Sequence, residues 1–100
     1  MKLHDIEVDD LALAAFCREH AIRRLSIFGS AVRDDFAPKS DIDIIIEMSG
    51  PDTLGLFQLG VMQQTLTALF GREVHLHTPD MIHPYLRERI RRSAKVAYAA

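Results

Sequence analysis

Two carboxylates open the apolar segment DIDIIIEM, Asp41 and Asp43, with one isoleucine between them. Side chains alternate between the faces of a strand, so we expect both carboxylates on one face and Ile42, Ile44 and Ile46 on the other. Two like charges on one face repel each other unless a cation lies between them. Mg²⁺ prefers oxygen ligands and is often held by one or two carboxylates completed by substrate phosphates. The pair therefore predicts a metal site.

A Gly29-Ser30 pair ends the preceding apolar segment, and ten residues separate Ser30 from Asp41. Glycine permits a tight turn with a close backbone approach. Ser30 and the residues after it can open a short helix whose first amides face an anion. Arg33 follows one turn later and can neutralise phosphate. Its alternative partners are Asp34, Asp35 and Asp43.

Each half of this motif also has an ordinary structural explanation. Asp41 can begin a strand after the turn Pro38-Lys39-Ser40, and Ser30 can cap a helix. Taken alone, an Asp-x-Asp pair favours that explanation, because such pairs are common at strand ends. Joined to Gly-Ser at this spacing, between two apolar strands, the pair favours a phosphate-binding turn beside a metal site.

The segments around the motif alternate between helical and strand patterns. Predicted helices cover DDLALAAFCREH with Asp9 or Asp10 as N-cap, DTLGLFQLGVMQQTLTALFG with Gly71 after its end, a short turn from Thr78-Pro79, and PYLRERIRRSAKVAYA from Pro84. Predicted strands cover IRRLSIF, DIDIIIEM and EVHLH. This order predicts an α/β (α+β) fold with a small mixed β-sheet flanked by helices.

Apolar residues at regular spacing give the predicted core. Leu25 and Ile27 share one face of the strand IRRLSIF. The helical positions predicted to face the core are Leu11, Ala14, Ala15 and Phe16, then Leu59, Met62, Leu66, Leu69 and Phe70, and finally Leu86, Ile90 and Ala97. Cys17 lies on the same stripe as Leu13 and Phe16, which predicts a buried structural thiol.

Composition limits the class of protein and its compartment. The chain has 100 residues, 48% hydrophobic and 26% charged, which predicts one globular domain over residues 1–100. A single cysteine excludes an internal disulfide. The N-terminus lacks the apolar core of a signal peptide, and no apolar run reaches membrane-spanning length. We therefore expect a cytoplasmic protein with no membrane partner.

The net charge of −2 is unevenly distributed along the chain. Residues 84–100 carry five basic side chains against Glu88, a net charge of +4, which leaves −6 on the remainder. This basic segment predicts a solvated surface or a docking site for an acidic protein partner, with direct nucleic-acid binding less favoured. His75, His77 and His83 suggest zinc only weakly, since no cysteine joins them and a solvated strand edge explains them.

Gly29-Ser30, ten residues and Asp41-x-Asp43 resemble the signature of the nucleotidyltransferase superfamily related to DNA polymerase β. The short chain is similar to its minimal nucleotidyltransferase (MNT) branch, the antitoxin half of HEPN/MNT toxin–antitoxin pairs. Arg33 and Ser40 stand where that branch usually has them, and the segment from Pro84 is similar to its terminal RERI…A helix. The resemblance covers residues 22–98 and implies a polymerase β palm-like fold.

The resemblance also implies a reaction and a partner. Active members transfer AMP from ATP, with Mg²⁺, to a tyrosine of the HEPN toxin, a ribonuclease, and so silence it. Carried over by position, the nucleotide-binding residues are Gly29, Ser30, Arg33 and Ser40. The same carry-over makes Asp41 and Asp43 the catalytic metal ligands.

His75 departs from the family pattern, because active members place a third carboxylate at its position on the next strand. Neutral imidazole is a poor Mg²⁺ ligand, and the ion that activates the attacking hydroxyl needs oxygen ligands. Glu73 shares the strand face of His75 and is an alternative ligand, whereas His75 itself can act as a general base. Asp34 replaces a glycine common after the arginine, a milder change.

Three hypotheses about function follow. The first is an antitoxin that transfers AMP to its toxin, with His75 in the catalytic set. The second is a catalytically weakened antitoxin that neutralises the toxin by binding alone. The third, a small-molecule nucleotidyltransferase of the aminoglycoside type, is disfavoured because no substrate domain follows residue 100.

Overall fold

The computed structural model describes residues 1–33, 40–50 and 55–100, which form a mixed α/β fold. Its elements are β1 (Lys2–Leu3), β2 (Ile6–Glu7), α1 (Asp10–Glu19), β3 (Ile22–Phe28), a 3-10 turn (Gly29–Val32), β4 (Ile42–Met48), α2 (Leu56–Phe70), β5 (Val74–His77), a second 3-10 turn (Pro79–Met81), α3 (Pro84–Ser93) and β6 (Lys95–Ala99). The predicted fold class, a small mixed sheet flanked by helices, is confirmed.

Four strands form one mixed sheet in the order β5-β4-β3-β6. β4 runs parallel to β5 and antiparallel to β3, and β6 runs antiparallel to β3. A parallel pair needs a crossover connection, which α2 supplies between β4 and β5. β1 and β2 form a separate hairpin that the sequence analysis did not predict. β4 is a central strand, as its apolar character indicated.

The core lies on one face of this sheet, against α1 and α2. Strand alternation sends five side chains of β3 and β4 to that face, all fully buried: Leu25, Ile27, Ile42, Ile44 and Ile46. The predicted division of β4 is therefore confirmed. Its polar members, beginning with Asp43, lie on the opposite face, which is where chemistry is accessible.

α1 begins after Asp9, whose carboxylate accepts hydrogen bonds from the backbone amides of Leu11 at 2.9 Å and Ala12 at 3.2 Å. The first of the two predicted N-caps is thus correct. The predicted core face was partly wrong, because Leu11 is 81% exposed and Ala15 is exposed. Both lie about 200° around the helix from the buried Leu13. The buried side chains of α1 are Leu13, Phe16 and Cys17.

Cys17 is fully buried and forms no disulfide. Burial raises the pKa of its thiol to about 11, against a smaller lowering by the charge of Arg18. A thiol with so high a pKa is protonated near neutral pH and is a poor nucleophile or metal ligand. The predicted buried structural thiol is therefore confirmed.

α2 has the end that its sequence predicts. Gly71 adopts the left-handed conformation, with φ +68°, and its amide donates to the carbonyl of Thr67 at 2.9 Å. The buried residues Met62, Leu66 and Phe70 recur every four positions, while Leu59 and Leu69 pack on the margin of the core. The helix begins at Leu56, and the predicted start near Thr53 lies outside the described residues. None of the described helices has the length and apolar character needed to span a bilayer.

The last predicted helix is wrong in its second half. α3 ends at Ser93, Ala94 is extended, and Lys95–Ala99 forms β6 against β3. Without β6, the outer edge of β3 would present unpaired backbone amides and carbonyls, and pairing satisfies them. Of the residues predicted to face the core, Leu86 is 46% exposed and Ile90 is half-buried. Ala97 does reach the core, but from a strand.

Two leucines of α2 provide a test of this packing. Leu66 is fully buried and Leu56 is 88% exposed. Leu66→Ala is expected to lower the free energy of unfolding by about 2–5 kcal/mol, because it removes buried apolar surface and leaves a cavity. Leu56→Ala, the matched control, should change it by less than about 0.5 kcal/mol. Urea denaturation measures both, and equal losses would contradict the assigned core face.

Candidate active site

The Gly29-Ser30 turn leaves β3 directly beside the carboxylate strand. Phe28, the last residue of β3, pairs with Asp43 in the antiparallel register. Gly29 has φ +75°, in the left-handed region that other residues avoid. A Cβ at this position would lie 2.6 Å from Asp43 Oδ2, a separation that Cβ atoms do not adopt. Only glycine lets the turn approach the carboxylate this closely.

The two carboxylates face β5, where a histidine lies near each of them. Asp43 is opposite His75 in the parallel register of β4 and β5. A hydrogen bond of 2.7 Å joins His75 Nε2 to Asp41 Oδ2, between side chains that are both about half-exposed. His77 Nε2 lies 3.5 Å from Asp43 Oδ1. β5, where the resemblance led us to expect a third carboxylate, thus supplies imidazoles.

His77 is a site residue that the sequence analysis did not assign. Its ring packs against Phe28, with ring centroids 5.3 Å apart. Its buried Nε2 has no hydrogen-bond partner among the described residues, since the contact with Asp43 lacks hydrogen-bond geometry. The alternation of VHLH was the available signal, because it places His75 and His77 on one strand face.

The pKa of His75 is raised above its ordinary value, chiefly by the hydrogen bond to Asp41. The charges of Asp41, Asp43 and Glu73 act in the same direction, and partial burial opposes them. The surrounding carboxylates therefore favour the protonated ring. Glu73 contributes this charge from an exposed position just before β5, while its backbone carbonyl accepts from the Ile42 amide at 2.8 Å.

The donor atoms at this site fit a magnesium ion that shares its coordination with phosphate. Asp41 and Asp43 supply hard oxygen donors, and the missing Cβ of Gly29 leaves space beside Asp43 Oδ2. Within residues 1–33, 40–50 and 55–100, no three His, Cys, Asp or Glu side chains are arranged to hold a metal ion unaided. Such a site suits Mg²⁺ carried by a nucleotide.

The remaining predicted residues lie around this centre. Ser30 is in the 3-10 turn, and its carbonyl accepts from the Arg33 amide at 3.0 Å. Arg33 ends the turn and lines a cleft against α3. Ser40 precedes Asp41, and its carbonyl accepts from Arg72 Nη1 at 3.2 Å. The alternative partners Asp34 and Asp35 lie outside the described residues, and His83 caps α3 instead of joining the other histidines.

Comparison with known proteins shows the family of this sequence. A family model described as nucleotidyltransferase domain matches residues 10–97. Two proteins of Methanocaldococcus jannaschii that are named as protein adenylyltransferases are similar to the chain. One is 40% identical over 73 residues, covering 72% of this chain and 75% of the relative. The other is 34% identical over 73 residues, covering 72% of each.

Solved structures share the fold. A minimal nucleotidyltransferase is 27% identical, with a TM-score of 0.71 over 86% of both chains. A chain of a toxin–antitoxin complex with AMP-PNP has a TM-score of 0.75 at 19% identity, covering 93% of this chain and 75% of that one. A chain of a complex of tri-AMPylated HEPN toxin with MNT antitoxin from Shewanella oneidensis has a TM-score of 0.66 at 18% identity, covering 91% of this chain and 70% of that one.

Gly29→Ala tests the close approach of the turn to Asp43. The left-handed backbone alone should cost about 1–2 kcal/mol of stability, and the added Cβ should push the Asp43 carboxylate aside. We expect weaker binding of Mg²⁺·ATP by calorimetry. Gly60→Ala is the control, since nothing lies within 4 Å of its Cβ position. In the interior of α2 this change should stabilise by about 0.5–1 kcal/mol. Equal behaviour of both variants would refute the constraint.

A second prediction concerns the metal-free protein and pH. A raised folded-state pKa for His75 stabilises the fold fully below the ordinary value of about 6.5, and this contribution is lost as pH rises through the folded value. Asp41→Asn should lower the His75 pKa in an NMR titration, and its stability deficit should shrink at higher pH. Glu19→Gln, on the opposite side of the sheet, should leave that pKa unchanged. An unchanged pKa in Asp41→Asn would disprove the pairing.

Proposed function

Because the chain belongs to the nucleotidyltransferase domain family, we propose that it is the antitoxin of a HEPN/MNT toxin–antitoxin pair and transfers AMP from ATP to a tyrosine of its HEPN toxin. The observation that carries this proposal is the contact between the glycine turn and Asp43, where a Cβ would lie 2.6 Å from the carboxylate. A phosphate held by that turn lies next to any metal ion held by Asp41 and Asp43.

Each residue has a role in this reaction. Asp41 and Asp43 would hold Mg²⁺, which neutralises charge on the α-phosphate when bound. Gly29, Ser30, Arg33 and Ser40 would bind the nucleotide beside it. The tyrosine oxygen forms a bond to the α-phosphorus as the bond to the bridging oxygen breaks. Pyrophosphate leaves with that electron pair, and the hydroxyl proton passes to a base or to water.

The relatives support this assignment. The two similar Methanocaldococcus proteins bear the name protein adenylyltransferase. One structural neighbour holds a HEPN toxin that carries three AMP groups, and another contains AMP-PNP. The names of the two relatives describe AMP transfer to a protein, and the complex with an AMPylated HEPN toxin suggests the acceptor. The carboxylate pair of this chain suits that reaction.

An exposed apolar patch on α2 supports a protein partner. Leu56 and Phe57 are 88% and 86% exposed, and Val61 follows Phe57 by one helical turn at 45%. Contiguous exposed apolar side chains often mark protein interfaces. Because these side chains lie together at the start of α2, we assign the patch to toxin binding.

Neutralisation by binding alone is the second candidate, favoured by one contact. His75 stands at the position of the third carboxylate, and its Nε2 is 2.7 Å from Asp41 Oδ2. One oxygen that a metal ion would use is thus engaged by an imidazole. Both features predict slow transfer compared with enzymes that have three carboxylates.

A mass measurement separates these functions. The protein is mixed with ATP, Mg²⁺ and a candidate HEPN toxin, the complex is isolated, and both chains are weighed. Native protein should add AMP slowly, and Asp41→Asn with Asp43→Asn should stop transfer. His75→Asp should raise the rate, on the order of a thousandfold, by restoring the third oxygen ligand. Glu73→Gln, the control on the same strand face, should change little.

Three outcomes count against parts of the proposal. A stable complex in which neither native protein nor His75→Asp adds AMP would leave binding alone as the function. Fast native transfer that slows in His75→Asp would make His75 a general base and would remove the binding-only candidate. Failure of the two chains to associate at micromolar concentration would contradict the antitoxin role itself.

A further inference from the structure

A second cavity adjoins the site on the side of the turn away from β5. It is a cleft of about 600 Å³ between the turn Gly29–Val32 and α3. Ligand pockets of roughly 300–1,000 Å³ accommodate small molecules. Its cationic and turn residues are Gly29, Arg33, Arg89 and Arg92, and Phe28 and Ile90 supply apolar surface.

The arginines that reach this cleft are selected by helical spacing. Leu86, Arg89, Ile90 and Ser93 recur at positions i, i+3, i+4 and i+7 of α3 and so share one face, which lines the cleft. Arg91 lines a different cavity, on the far side of α3 with Arg87 and Glu47. The neighbouring residues Arg91 and Arg92 therefore line different cavities, so that a substitution of Arg91 is a matched control for a substitution of Arg92.

The α3 side of the cleft carries positive charge that its exposed ion pairs only partly offset. Within the described residues the Arg89 guanidinium makes no hydrogen bond or ion pair, and the residue is exposed. Arg92 Nε lies 3.5 Å from Glu88 Oε1. Arg91 Nη1 lies 3.9 Å from the other oxygen of the same carboxylate, and all three side chains are exposed. Exposed pairs of this kind contribute little and exchange readily for a better partner. An anion entering the cleft meets Arg33, Arg89 and Arg92 together.

Gly29 joins the cleft to the carboxylates. Its backbone lines the cleft, and its Cβ position lies against Asp43 Oδ2. Suppose that the α-phosphate of a nucleotide lies near Asp41 and Asp43 and that its triphosphate runs past the turn. The β- and γ-phosphates would then point toward α3. Guanidinium groups suit this ligand, because they bind phosphate oxygens through paired, charge-assisted hydrogen bonds.

We propose that Arg89 and Arg92 of α3 bind the β- and γ-phosphates of the nucleotide and stabilise the departing pyrophosphate. This inference rests on the proposed function and adds residues that lie far from the Gly-Ser motif in the sequence. Charge moves onto the bridging oxygen and the leaving phosphates as the bond to the α-phosphorus breaks, and fixed cations there lower the barrier. Part of the basic segment 84–100 would thus bind the nucleotide.

Calorimetry with three ligands tests the assignment. Mg²⁺·ATP, Mg²⁺·pyrophosphate and AMP are titrated into native protein and into Arg89→Gln, Arg92→Gln and the control Arg91→Gln. Loss of one charge-assisted hydrogen bond should weaken ATP and pyrophosphate binding about tenfold to a hundredfold. AMP lacks the terminal phosphates, so its affinity should stay within twofold. Arg91→Gln should match native protein for all three ligands, and thermal melts should show that every variant is folded.

The outcomes separate this inference from the proposed function. Equal ATP affinity in Arg89→Gln, Arg91→Gln and native protein would overturn the inference even if native protein transfers AMP. Loss of HEPN binding without loss of ATP affinity would also overturn it, because the cleft would then hold an acidic part of the partner. A selective loss of ATP and pyrophosphate affinity in a protein that transfers no AMP would uphold the inference while AMP transfer fails.

Discussion

The site depends on one close approach, that of the Gly29 backbone to the carboxylate of Asp43. The antiparallel register of β3 and β4 brings Phe28 opposite Asp43, so the chain must turn where a carboxylate already stands. A Cβ at position 29 would collide with that carboxylate. The left-handed backbone of Gly29 is a second reason why other residues are unfavourable at this position. The alternation of β4 fixes this geometry, since Ile42, Ile44 and Ile46 fill the core and Asp43 lies on the open face.

β5 determines how readily the carboxylates of Asp41 and Asp43 can bind a metal ion. Its parallel register with β4 sets His75 against Asp41 and His77 near Asp43. The hydrogen bond from His75 stabilises the charge of Asp41 beside the second carboxylate. The same contact places nitrogen at the position where the resemblance implies a third oxygen donor. A strand with imidazole at this position is less suited to activating an attacking hydroxyl.

β6 has a consequence for the same site. By pairing with the outer edge of β3, it ends α3 at Ser93 and returns the chain to the sheet. α3 is therefore held beside the turn Gly29–Val32, with Arg89 and Arg92 toward the cleft and Arg91 away from it. The Arg87 guanidinium helps to fix the start of this helix, because its Nε donates to the carbonyls of Pro79 and Ile82.

The sequence by itself determined what neighbouring residues control: the Asp9 cap, the Gly71 end of α2, the alternation of β4, and the spacing of the glycine turn from the carboxylates. The order of the helical and strand patterns predicted the fold class, and the resemblance carried by that motif indicated the family. Tertiary structure alone decided the face of α1, the strand β6 and the approach of His77 to Asp43. Each of these depends on a partner distant in the chain. A helical pattern yields to a strand where a sheet edge needs backbone partners, and two side chains on different strands meet only through the register between them.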